Sequence, residues 1–554
     1  MGERVRVRGV RKEEVMKELF NKSFSRRSFL TALGVGVGAA ALDWEEIEAL
    51  ASTVEDKSEY PVVVIGSGLG GLTAAASLVR KGFPVTVLEQ RDAVGGYATA
   101  FERAGGDYAF EISLHWCLGM ARFLEEFGIK DKVELVKLPE ISRVILPDYD
   151  FIWPQQNPKE IIRILSEKFP QEVEGIRSFM KLLADFLQEY IKPIDVKSIS
   201  TTHPILWEMH NKTAAQVLDS FFKDQKLKAV FTLFGGGFGL PPSKLPANSY
   251  LLLTSGAILL GRDYIKPRSR ALSDALRQII EHHGGRVIFN NEVENILIQD
   301  GAVTGVKTTG GKTYSAKAIF SNASGPTTFG KMLPQDVLPE SFRAKLQAYR
   351  PSKSTFIVWL GLKQELRGKI QGYNILVSDG YDTEAAHEAS LAADALKAGL
   401  HIVVYDNLYP GYSKPGKSSV TLFMGCGYDP WKKFEEDYFA GRKETYQKEK
   451  DRITQILIDR AESRVIPGLR SMIEVVDAAT PLTNVRYTKN PHGAIVGYEA
   501  SLDNSGFNRI RNRTPVKGLY LASAWGNPGG GYILAVRGGQ SAFKDLMEDW
   551  TKKT

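Results

Sequence analysis

Residues 62–71 read VVVIGSGLGG, and the apolar run PVTVLEQ that follows at 84–90 ends on Glu89 and Gln90. This predicts a strand, a glycine-rich turn opening a helix, and an acid at the tip of the next strand. Gly66 allows the tight turn, Gly68 admits a pyrophosphate to the backbone, and Gly71 lets helix and strand pack closely. Ser67, Leu69 and Gly70 complete the loop. Phosphates then sit where unpaired N–H groups and the helix dipole favour negative charge. Glu89 is placed to accept the hydroxyls of an adenosine ribose. Both strands, the helical pattern LTAAASLVRKG and the acid are present. The fold class is therefore α/β, with a Rossmann-like dinucleotide domain.

The next stretch, EQRDAVGGYATAF, carries the adjacent glycines Gly95 and Gly96 just after the ribose acid. Such a pair lets backbone lie against a flat ligand or a second phosphate without a Cβ clash. Near the other end, GLYLASAWGNPGGGYILAVRGGQSAF (518–543) reads as strand, glycine loop and helix, with Ala524, Pro528, Gly529, Gly530 and Gly531 at the turn. A long cofactor touched by both ends of the chain fits FAD better than a nicotinamide.

These stretches, with FEISLHWCLG (110–119) and TPLTNVRYTKNPHGAIVGYE (480–499), resemble the flavoprotein polyene oxidoreductases: phytoene desaturases, carotenoid isomerases and retinol saturases. The EQ at 89–90, the His115–Trp116 pair and the TPLTN run are most similar to the retinol saturase and carotenoid isomerase branch. The resemblance covers about residues 58–550. It implies a two-dinucleotide-binding-domain flavoprotein with a discontinuous α+β substrate domain. It also implies that the Val293 backbone meets the adenine side of FAD and that Ser321, Asn322 and Ala323 lie near the dinucleotide. Three positions depart from the pattern. Tyr97 stands where amine-oxidase relatives carry arginine, Pro267–Arg268 replace a glycine pair, and Ala522–Ser523–Ala524 replace a glycine–acid pair.

At 554 residues with 43% hydrophobic and 24% charged content, the chain can bury a large core and falls in no disordered class. Its net charge of +7 is unevenly spread: residues 1–28 hold nine Lys and Arg against four Glu. No basic stripe interleaved with aromatics suggests nucleic acid. SFSRRSFLTALGVGVGAAAL places Arg26–Arg27 before fourteen uncharged residues, which reads as a twin-arginine export signal within a leader of residues 1–51. That stretch is shorter than the ~20 residues of a membrane span. The expected location is periplasmic or envelope-associated. Two cysteines, Cys117 and Cys426, make no disulfide framework, and no metal set is expected.

Segments 58–140, 266–334 and 476–550 are expected to form the FAD domain, and 141–265 with 335–475 the substrate domain. Within the latter, AVFTLFGGGFGLPPSKLPANSYLLLTSGAILLG (229–261) has Lys244 as its only charge. It reads as core helices and a turn, or as the lining of an apolar tunnel or a membrane-contacting face. The expected substrate is a hydrophobic isoprenoid or polyene. Saturation or cis–trans isomerisation is favoured over desaturation by the branch resemblance. If the reaction is a reduction, a quinol or redox protein is the expected electron partner, since no second dinucleotide motif is visible. His115, Tyr487 and Tyr498 are the candidate proton donors, His115 leading. A flavin amine oxidase and a non-catalytic, flavin-containing lipid-binding envelope protein are the alternatives.

Overall fold

A computed structural model describes residues 57–192, 198–235 and 239–551. The expected export leader lies outside the described residues. Five parallel strands form the first sheet, in the order Leu519–Leu521, Ala318–Ser321, Val62–Ile65, Val85–Leu88, Arg286–Ile288. All four residues of the central strand, VVVI, are buried, as a parallel strand covered on both faces requires. The two-residue period then sorts its side chains. Val62 and Val64 pack with Val85 and Val87 under the helices Leu69–Val79, Arg270–His282 and Tyr532–Thr551. Val63 and Ile65 face the opposite way, onto an antiparallel meander of strands Val293–Gln299, Ala302–Thr308 and Thr313–Ser315.

Every residue of helix Leu69–Val79 is buried, so its glycines serve close packing as well as the turn. A Cβ on Gly71 would lie 2.3 Å from the Gly66 carbonyl oxygen. One on Gly539 of the closing helix would lie 2.3 Å from the Gly70 oxygen.

The second sheet has seven strands, ordered Ile473–Ala479, Ser354–Leu362, Ser418–Cys426, Leu400–Val404, Asn374–Val377, Ser142–Ile145, Asp150–Trp153. Phe356, Val358 and Leu360 point to one face, where helix Glu444–Arg464 covers them with Ile453, Leu457 and Ala461. The charged run of that helix is its outer face. Thr355, Ile357 and Trp359 alternate onto the other face, toward the dinucleotide domain. Because the edge strand runs to Ala479, this sheet extends past the expected boundary at 475. Strand Asp263–Lys266 pairs with Glu134–Lys137 and ties the two domains together at the expected 265/266 boundary.

A helical layer includes Pro158–Lys168, Val173–Tyr190, Ala214–Phe221 and Ala247–Ser255, with Phe179, Phe222 and Phe231 packed at its centre. In the apolar segment 229–261, Leu251, Ala257 and Ile258 are core, while Leu233, Leu252 and Leu253 reach a cavity wall. The segment thus supplies both core and cavity wall. No helix among the described residues is long and apolar enough to cross a membrane.

Candidate functional site

A cavity of about 880 Å³ lies between the parallel sheet and the open face of the seven-stranded sheet. Two helix N-termini meet it: Leu69 and Gly70 from the first glycine loop, and Gly531, Tyr532 and Ile533 from the last. Neither first turn contains an acid, so no side-chain carboxylate there offsets the positive end of either helix dipole, which favours an anionic ligand.

The Gly-Gly pair folds back onto the first loop. Gly95 N–H donates to the Ser67 carbonyl at 2.8 Å, and both glycines take positive φ, 110° and 60°. The opening at the glycine loop is held by Asn322, whose Nδ2 donates to the Ala522 carbonyl. A Cβ on Gly68 would sit 2.4 Å from its Oδ1.

Glu89 is buried at the end of the second strand. One carboxylate oxygen accepts from Ser67 N–H at 2.7 Å and Ser67 Oγ at 2.6 Å; the other accepts from Arg91 N–H at 2.9 Å. The acid thus braces the loop from within while lining the cavity. Two helix dipoles, a side-chain-free floor and a terminal carboxylate fit a dinucleotide as long as FAD. Glu89→Gln sets an amide N–H₂ against N–H donors. Its FAD dissociation constant is expected to rise about 10- to 100-fold, from a charged hydrogen bond worth ~1.5–3 kcal/mol. Titration of apoprotein with FAD checks this; unchanged affinity would refute it.

Gly66, Gly68, Leu69, Gly70, Glu89, Gln90, Gly95, Gly96, Val293, Asn322, Ala524, Gly530, Gly531 and His115 all line this one cavity. Four expected contacts do not. Ser67, within the loop, and Gly71, in the first helical turn, are both buried away from the cavity. Pro528 and Gly529 border a smaller neighbouring pocket of about 340 Å³. Gly530 is required by packing: a Cβ there would be 2.4 Å from Val496 Cα. Tyr498 also faces the smaller pocket, with its ring edge-on to Trp525 at 4.7 Å, which removes it as a proton donor to the cavity. Tyr487 lies at the cavity rim, 46% exposed, under the Arg91 guanidinium. Tyr97 lines the cavity, and burial pushes its phenol up to about 12.

The other wall is built by the seven-stranded sheet. Ile357, Phe423, His401 and Leu376 are consecutive cross-strand partners and form one row. The His115 ring stacks on Phe423 at 4.4 Å, and His401 stacks on the same ring at 4.5 Å. Nδ1 of His115 shares a 2.9 Å hydrogen bond with the Tyr405 hydroxyl. Burial, reinforced by His401, pulls the His115 pKa down to about 3. Burial and Lys353 pull His401 to about 4. Both imidazoles are neutral at physiological pH.

Two cations in this wall escaped the sequence reading. Lys353 Nζ lies 3.1 Å from Ser390 Oγ and 3.4 Å from His387 Nδ1, and burial lowers its pKa to about 8. Arg262 is 4% exposed and lies over the Trp116 ring at 3.9 Å. The one available signal for Lys353 was a cation immediately preceding a nine-residue buried strand.

Comparison with known proteins places this geometry among relatives. The family described as flavin containing amine oxidoreductase matches residues 69–542. The all-trans-retinol 13,14-reductase of Danio rerio is 26% identical over 85% of this chain and 83% of its own length. Prolycopene isomerase 2 of an Oncidium hybrid cultivar, a chloroplastic protein, is 24% identical over 88% and 84%. Among solved structures, an oxidoreductase from Methanosarcina mazei aligns with a TM-score of 0.56 at 17% identity, covering 88% of this chain and all of that one. Putrescine oxidase bound to putrescine aligns with a TM-score of 0.58 at 14% identity, over 89% and 99%.

Proposed function

The chain belongs to the flavin containing amine oxidoreductase family and is an FAD-dependent oxidoreductase, and we propose that its substrate is a hydrophobic isoprenoid polyene whose C=C bonds it saturates or isomerises. The observation that carries this reading is the wall facing the dinucleotide cradle, to which Ile357, Trp359, Phe423, Leu376, Leu252 and Leu253 contribute apolar and aromatic side chains. A conjugated chain lies well against such a surface. The retinol reductase and prolycopene isomerase among its relatives agree with that choice of substrate.

Bound FAD supplies hydride transfer, the chemistry that protein side chains lack. The chain's own groups supply the rest. Apolar walls exclude water, the aromatic row orients the polyene, and a positioned acid delivers the proton. His115 is neutral, so it serves as a hydrogen-bonding and stacking group. Lys353, still protonated at pH 7, is the better proton donor.

An amine substrate suits this wall poorly. The charged groups reaching the cavity from the sheet and helical side, Lys353 and Arg262, are both positive and repel an ammonium. Tyr97 in place of the arginine points the same way.

The Arg26–Arg27 leader supports export through the twin-arginine route to the cell envelope, and the single dinucleotide fingerprint supports a quinol or redox-protein electron partner.

The test is anaerobic. Photoreduced, flavin-loaded protein is mixed with all-trans-retinol or a cis-carotenoid, following flavin absorbance and product mass. Reoxidation with a two-hydrogen mass gain supports saturation. A shifted isomer of unchanged mass supports isomerisation. A flavin reduced by primary amines but indifferent to both polyenes would overturn the proposal in favour of an amine oxidase. A flavin that exchanges electrons with nothing would favour the lipid-binding alternative.

A further inference from the structure

Among the described residues, Arg262 is a buried charge without a counter-charge. It follows the helical turn Gly256–Leu260 and opens strand Asp263–Lys266. Its backbone is fixed on both sides: its N–H donates to Gln155 Oε1 at 2.8 Å, and its carbonyl accepts from Leu138 N–H at 3.1 Å. The side chain therefore stays in the wall, 4% exposed, with its guanidinium over Trp116.

Its polar contacts fall short of its five donors. One η nitrogen reaches the Ile141 carbonyl at a long 3.5 Å, and Nε has no partner. Among the described residues no carboxylate forms an ion pair with it. Buried guanidinium groups are ordinarily paired, because an unpaired one costs several kcal/mol of desolvation. Arg262 lines the cavity beside Trp116, Leu118, Leu252 and Leu253.

We propose that Arg262 receives the carboxylate of the substrate, so that the preferred ligand is an apolar chain ending in a single carboxylic acid. The guanidinium fork matches a carboxylate with two parallel N–H···O bonds, and Trp116 beneath it fixes the plane of the fork. One cation balances one negative charge; a diphosphate would bring surplus charge into an apolar wall. This assignment rests on the polyene reading for the nature of the chain, but not for its end group.

Binding to the oxidised, flavin-loaded protein is measured by the change in flavin absorbance, using all-trans-retinoic acid and all-trans-retinol. The acid is expected to bind at least about 30-fold more tightly. In Arg262→Met that preference should vanish while retinol affinity stays within about threefold. The wild-type comparison alone is decisive should the variant not load flavin.

Equal binding of acid and alcohol to the wild type overturns the carboxylate site and leaves the polyene reading standing. An acid preference that survives in Arg262→Met also overturns it, as does tighter binding of farnesyl diphosphate than of the acid. Should neither retinoid bind, palmitic acid is compared with hexadecanol. An Arg262-dependent preference for palmitic acid supports the carboxylate site and overturns the polyene reading; its absence overturns both.

Discussion

Gly70→Val protein is expected to emerge from purification with less than about a tenth of the wild-type flavin. Gly70 is buried where the first helix crosses the end of the last parallel strand. A Cβ there would lie 2.2 Å from the Ala522 carbonyl oxygen and 2.9 Å from its carbon. Those are backbone atoms, held in place because Ala522 N–H donates to the Ser321 carbonyl at 2.8 Å. Asn322 Nδ2, 3.0 Å from the same point, is committed to the Ala522 oxygen. Gly539 blocks retreat on the helix side, since the closing helix already packs against the Gly70 carbonyl. The first helix must tilt, and its N–H groups leave the position where a pyrophosphate meets them. Overpacking costs ~1–3 kcal/mol where neighbours can adjust, and here the neighbours are main chain. The 450-to-280 nm absorbance ratio reads the result. Gly380→Val is the control, since a Cβ at Gly380 meets nothing within 4 Å. Full flavin content in Gly70→Val would sink the argument.

The dinucleotide half was legible because its constraints are local. The glycine spacing, Glu89 and the Gly95–Gly96 pair lie within about thirty residues; the glycines answer to backbone requirements that other residues meet poorly, and Glu89 supplies the one carboxylate at the strand tip. The closing loop was legible for the same reason, although Pro528 and Gly529 turned out to border a second pocket. The substrate wall was hidden because it is a cross-strand row. Ile357, Phe423, His401 and Leu376 come from four strands up to 66 residues apart in sequence, joined only by the pairing of a seven-stranded sheet. No period within one segment announces such a row. His115 was singled out by its motif, but its environment decides its chemistry. A histidine stacked on Phe423 beside a second buried imidazole does not hold a proton at neutral pH, and the sequence says nothing of that neighbour.

Lys353→Met should lower steady-state polyene turnover by about 10²- to 10⁴-fold, the usual worth of a positioned acid. The lysine is next to Ser352, whose N–H donates to the Gly497 carbonyl at 2.8 Å and whose Oγ accepts from Val496 N–H at 3.2 Å. Val496 in turn packs against Gly530 at the second helix N-terminus, while the Lys353 side chain runs along Gly425 toward Ser390 and His387. Burial lowers its pKa to about 8 because the charged form loses solvation. The ammonium is the donating form and exists below that value. The rate should therefore hold at neutral pH and fall as pH rises through about 8. Neighbouring groups do not mimic this limb. His387 and His401 are pulled to about 4, and the Cys426 thiol is pushed up to about 12. Lys353→Met should abolish the alkaline limb along with the rate, and Lys353→Arg should move it upward out of the measured window. His115→Gln, by contrast, should cost less than about tenfold and leave the limb in place. Wild-type turnover with an unchanged pH profile in Lys353→Met would return the proton to His115 or to solvent.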